Sequence, residues 1–152
     1  MVIATDFDGT IVTHKYPHIG TEIPFAIDTL KLLIQEHHRV ILWTVREGRL
    51  LDEAVEWCRE RGVEFYAVNR DYPEEDPQHL TDGFSRKIKA DLFIDDRNLG
   101  GIPDWGTIYQ MVHSGNAHHQ PHHHHSYEDY DELPKRKSFL EYLFGKNDRR
   151  RR

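Results

Sequence analysis

Cys58 is the single cysteine in 152 residues, so no disulfide can form within the chain. Long apolar runs are missing as well. None reaches the roughly 20 residues that a membrane-spanning helix requires. Positive charge is in deficit, with 20 Lys and Arg against 26 Asp and Glu and a formal net charge of -6. A nucleic-acid backbone selects basic surface, so a general role on nucleic acid is not expected, although a local basic patch is compatible with this balance. The first residues also lack a basic stretch followed by a long apolar segment. Strand-like sequence begins at once, which reads as a cytoplasmic protein with no membrane partner.

Apolar residues make up 38% and charged residues 30%, a polar balance that still leaves enough for one domain with a core. Val2–Phe7 leads into Asp6 and Asp8. "RVILWT" at Arg39–Thr44 ends on Thr44. "FYAV" at Phe65–Val68 ends beside Asn69, and "ADLFI" at Ala90–Ile94 runs into Asp95 and Asp96. Short continuous apolar runs suit strands covered on both faces.

Helical patterns lie between them. Pro24 suits a first helical turn, and Ile27, Leu30, Leu33 and Ile34 follow at helical spacing. A second helix is predicted over Glu47–Arg61, with Gly62 as its stop. Asp104 is placed to cap a short third helix through Trp105–Val112. This order predicts an α/β fold, a three-layer Rossmann-like parallel sheet with helices on both faces. In such sheets ligands bind beyond the carboxyl ends of the strands, where the reactive residues gather here.

Each set has a bland reading. Asp6 and Asp8 before Gly9 are good turn chemistry. Thr44 is an ordinary strand residue, Lys87 an ordinary surface lysine, and Asp95-Asp96 an ordinary loop cap. Taken together and in order, they point to chemistry. "DFDGT" after a strand, Thr closing a second strand, a lysine upstream and "DD" closing a later strand resemble the haloacid dehalogenase (HAD) superfamily of phosphohydrolases. The resemblance covers roughly residues 1–112.

The resemblance implies Asp6 as the nucleophile forming an aspartyl-phosphate and Asp8 as general acid and base. Residues i and i+2 on a strand share a face, which would bring both carboxylates to one phosphoryl group. Thr44 is implied as a hydroxyl donor to a phosphoryl oxygen. Lys87, with Lys89 as the alternative, is implied as the charge-neutralising lysine. Asp95, with Asp6 and the Asp8 carbonyl, would hold Mg²⁺, and Asp96 would orient from behind. Gly9 would allow a sharp turn, and Thr10 a nearby hydrogen bond, both beside the substrate. Arg46 in "TVREG" is a candidate substrate contact, weighed evenly against a surface arginine. Asn69, Arg70, Arg97 and Asn98 are further candidates, and Trp43 reads as core.

A helix, a strand and loops fill the intervals from Asp8 to Thr44 and from Thr44 to Lys87. Neither leaves room for an inserted cap domain. The expected enzyme is a capless, Mg²⁺-dependent phosphomonoesterase acting on a small metabolite, a sugar phosphate or a nucleotide. The site would be open unless "THKYPHIG" at Thr13–Gly20, the loop around Asp71–Phe84, the tail or another subunit covers it. The alternatives are a binding or regulatory module with little turnover and a metal-handling protein.

The metal-handling alternative rests on the tail. The predicted organisation is a catalytic domain at 1–113, a His-rich and acidic linker at 114–137, and a short amphipathic helix with a basic end at 138–152. His118, His119 and His122–His125 bind transition metals in principle, but no fixed ligand spacing is present, so a solvated linker is the preferred reading.

Overall fold

The computed structural model describes residues 1–75 and 87–115. Four strands and three helices follow in the order β1 (Val2–Thr5), α1 (Ala26–Gln35), β2 (Arg39–Leu42), α2 (Gly48–Arg59), β3 (Ala67–Val68), β4 (Leu92–Ile94) and α3 (Trp105–His113). All strands run parallel, in the sheet order β3-β2-β1-β4. The α/β, Rossmann-like architecture expected from the sequence is the one observed.

Strand register divides the core between two faces. Ile3 sits beside Val40 and Leu92, whereas Ala4 sits beside Ile41 and Phe93. Ile3, Val40, Leu42 and Ile94 enter a large apolar cluster with Leu30 and Leu33 of α1, Ala54 and Cys58 of α2, and Trp105 and Ile108 of α3. Each fully buried side chain of this kind stabilises the fold by about 1.5–3 kcal/mol. The opposite face carries a smaller cluster around Ala4, Ile41, Ala67 and Ile88, with Trp43 and Phe93 packed on it. The three described helices all join the first cluster. The connection from β3 to β4 runs through residues 76–86, outside the described residues, as does any cover that it gives the second face. The His-rich segment from His118 and the amphipathic segment at 138–152 lie outside them too.

The helix ends follow local chemistry. α1 starts two residues after Pro24, because Phe25 adopts a left-handed conformation (φ 67°) and breaks the turn before Ala26. His37 takes the left-handed position at its far end, and His38 N–H donates to the Leu33 carbonyl at 3.0 Å. Gly62 does the same after α2, where Val63 N–H donates to the Cys58 carbonyl at 3.0 Å. Asp104 caps α3 as expected, accepting from Thr107 N–H at 3.0 Å. No described helix is long and apolar enough to cross a membrane.

Candidate functional site

The four strands end in one row. Asp6 N–H donates to the Ile94 carbonyl at 3.0 Å, which sets Asp6 beside the start of Asp95-Asp96. Trp43 N–H donates to the Thr5 carbonyl at 2.8 Å and brings the end of β2 alongside. Asn69 N–H donates to the Leu42 carbonyl at 2.8 Å. The side chain of Asn69 then braces the loop after β2. Its Oδ1 accepts from Thr44 N–H at 2.8 Å, and its Nδ2 donates to the Arg46 carbonyl at 3.4 Å. Asn69 thus shapes the loop that carries Thr44. Arg70 braces its own loop, donating to the carbonyls of Val68, Pro73 and Glu75.

β1 ends at Thr5, so Asp6 and Asp8 follow the strand, with Asp8 in a single bridge to Val12 just before the turn at Gly9. The expected i, i+2 alternation therefore does not apply. The turn is closed by Gly9 N–H to the Val12 carbonyl at 2.7 Å and Ile11 N–H to the Phe7 carbonyl at 2.9 Å. Both carboxylates still face one cavity, but each has different company.

Asp6, Asp95 and Asp96 form a carboxylate triad, with one oxygen from each lying within 4.8 Å of the others. Burial pushes the Asp6 carboxyl up to about 6. The negative charges of Asp95, Asp96 and Asp8 add to that shift, and a hydrogen bond from the Phe7 backbone opposes it. One oxygen of Asp96 is buried and has no hydrogen-bond partner. Gly9, at φ 92°, makes room for this carboxylate, since a Cβ there would collide with it. Thr10 Oγ1 accepts from Asp96 N–H at 3.0 Å, and the Thr10 carbonyl accepts from Trp105 Nε1 at 2.9 Å. Gly9 and Thr10 therefore support Asp96. Neither is among the residues that line the cavity described below. Asp96 moves in the other direction, from a supporting role to the triad itself.

The triad fits a hard divalent cation. Its donors are all carboxylate oxygens, Asp96 carries a buried oxygen without a partner, and three like charges this close repel strongly without a counter-ion. Mg²⁺ would be held by Asp6, Asp95 and Asp96. The carboxylate of Asp8 is not part of this group.

Asp8 pairs with Arg46 instead. Nε and Nη2 of Arg46 donate to Oδ2 and Oδ1 of Asp8 at 2.6 and 2.7 Å. Nη1 donates to the Pro17 carbonyl at 3.1 Å, and Nη2 to the His18 carbonyl at 3.0 Å. Arg46 is only 1% exposed. Arg46, expected as a substrate contact, has a buried guanidinium engaged by Asp8 and by the Thr13–Gly20 loop. That loop is pinned at its base, where Thr13 N–H donates to the Thr21 carbonyl at 2.8 Å.

The resulting cavity measures about 360 Å³. Asp6, Asp8 and Asp95 are the acidic part of its lining, and Thr44, two residues beyond β2, lines it as well. His14, Tyr16, Trp43, Val45 and Arg97 complete the lining. Arg97 was among the candidates. His14 and Tyr16 were not, although their loop is one of the four elements named as alternative covers, and the sequence reads Trp43 as core. Lys87 is exposed, with its Nζ 5.7 Å from the Phe93 ring centroid, and does not line the cavity. Lys89 is exposed too, and its backbone N–H donates to Asp71 Oδ1 at 2.6 Å.

A solved structure described as the conserved protein coded by a locus of Bacteroides thetaiotaomicron is similar to this chain. The two are 71% identical with a TM-score of 0.70, over 76% of this chain and 91% of that one. The chain belongs to the family of this conserved Bacteroides protein. No family model and no curated protein matches the sequence.

Proposed function

We propose that this chain is a Mg²⁺-dependent phosphomonoesterase of the HAD type, acting on a small phosphorylated metabolite in the cytoplasm. The observation that carries the reading is the meeting of the Asp6, Asp95 and Asp96 oxygens within 4.8 Å, at a cavity that Asp8 and Thr44 also line. When bound by the triad, Mg²⁺ supplies positive charge that offsets the carboxylates and the incoming phosphoryl oxygens.

Asp6 attacks phosphorus through a carboxylate oxygen, and the bond from phosphorus to the ester oxygen breaks. Asp8, having taken a proton from solvent in place of one of its Arg46 hydrogen bonds, gives it to that leaving oxygen, releasing the alcohol. A water molecule then gives a proton to Asp8 while its oxygen attacks phosphorus. The bond from Asp6 to phosphorus breaks, and inorganic phosphate leaves with both aspartates restored. Thr44 Oγ1 accepts from Arg46 N–H at 3.3 Å, which leaves its hydroxyl hydrogen to donate to a phosphoryl oxygen. Arg97 brings positive charge to the cavity lining. Arg46 fixes the carboxylate of Asp8 in one orientation.

A broad phosphomonoester screen with Mg²⁺, run beside Asp6→Asn, tests the reading. Turnover by the native chain and none by the folded variant is expected. Activity that persists in Asp6→Asn contradicts it, as does the absence of activity on every ester.

A further inference from the structure

The cavity has an acidic part and a largely apolar wall. We infer that Tyr16 and Trp43 form a wall that selects phosphomonoesters carrying a flat ring, of the nucleoside 5′-monophosphate class, over simple sugar phosphates. The inference rests on the phosphatase reading, which sets the phosphoryl group at Asp6 and turns the rest of the substrate toward these side chains.

Tyr16 is 50% exposed and Val45 75% exposed, yet both line a concave site. Apolar surface held open beside carboxylates suits a ligand that brings apolar area of its own. The Tyr16 ring is also held in place before any ligand arrives. The Arg46 guanidinium carbon lies 5.4 Å from the ring centroid, and the same group binds the carbonyls of the next two residues. One face of the ring is therefore occupied while half of the side chain remains open. A fixed aromatic surface loses little entropy on binding. Trp43 is anchored through its backbone N–H to Thr5, next to Asp6.

A simple sugar phosphate meets this wall poorly. Its hydroxyls lose water and need partners, and, apart from His14 and Arg97, the rings of Tyr16 and Trp43 and the Val45 side chain offer few. A nucleobase presents flat faces that stack on aromatic rings. The cavity volume of about 360 Å³ lies near the lower end of small-molecule sites and suits one nucleoside, not an oligonucleotide.

Ribose 5-phosphate and nucleoside 5′-monophosphates share a primary phosphate ester and differ by the base, so they isolate the wall. Isothermal titration of both into full-length Asp6→Asn protein with Mg²⁺ tests it without turnover. The nucleotide is expected to bind about tenfold tighter, the gain of one base–aromatic stack. Tyr16→Ala and Trp43→Leu should each shrink that gap, and Tyr16→Phe should keep it. Equal affinities, or a gap untouched by both substitutions, overturn the inference. The turnover screen fails or succeeds separately. Hydrolysis without nucleotide preference leaves the phosphatase reading standing and removes the wall. Nucleotide-selective binding without hydrolysis of any ester supports the wall and removes the chemistry.

Discussion

Arg46 and Asp8 form a buried, two-point ion pair, with the carboxylate 5% and the arginine 1% exposed. Such a pair is costly to break from one side, because the survivor is left charged and dry. The same guanidinium also binds the carbonyls of Pro17 and His18, so the acidic turn and the cavity loop share one support.

Arg46→Met should therefore destabilise the protein by about 3–5 kcal/mol, read from the urea unfolding midpoint. Arg46→Lys should recover little of this, since an ammonium cannot reproduce the planar fork. The double variant Asp8→Asn with Arg46→Met should be more stable than Arg46→Met alone. If that double variant is no better, the loss comes from the loop contacts and not from the stranded carboxylate.

Gly9→Ala should lower stability by about 1–3 kcal/mol, through both its left-handed backbone and the collision with Asp96. Because the displaced group belongs to the triad, Mg²⁺ affinity should fall as well. Calorimetric titration of Mg²⁺ into both proteins checks this. Unchanged affinity would separate Asp96 from the cation site.

The raised Asp6 carboxyl fixes a pH dependence. Its value of about 6 in the fold exceeds the ordinary 3.8, so the folded chain holds this proton more tightly than the unfolded chain. Without metal, the Asp6 contribution favours folding most at low pH and is lost as pH rises through about 6. Mg²⁺ held as proposed would compete with that proton. The rise in Tm on adding Mg²⁺ should thus be small near pH 5 and reach its full size above about pH 7. Thermal melts across this range, with and without Mg²⁺, measure it. Asp6→Asn should stabilise the metal-free protein at neutral pH and weaken the Mg²⁺ response.

Much of this site was legible because its residues end apolar runs, and a parallel sheet carries all such ends to one edge. Asp6, Asp8, Thr44 and Asp95 were found that way, and all line the cavity. The partners of Arg46 were not legible. Pro17 and His18 offer backbone carbonyls from a distant loop, and a carbonyl leaves no mark on a sequence. Tyr16 was hidden for the same reason, since only the folded loop turns its ring toward Arg46. Gly9 and Thr10 were placed beside the substrate because they follow Asp8 directly, whereas the turn at Gly9 directs both toward Asp96. The start of α1 was misjudged by two residues, because the left-handed Phe25 overrides the preference of Pro24 for a first helical turn.

Covalent chemistry at Asp6 is the centre of the account. Acid quenching during turnover with Mg²⁺, followed by peptide mass spectrometry, tests it most directly. The account predicts a phosphoryl adduct on Asp6, absent from Asp6→Asn together with turnover. Steady hydrolysis with no adduct at Asp6, by a chain whose Asp6→Asn variant remains active, would contradict it.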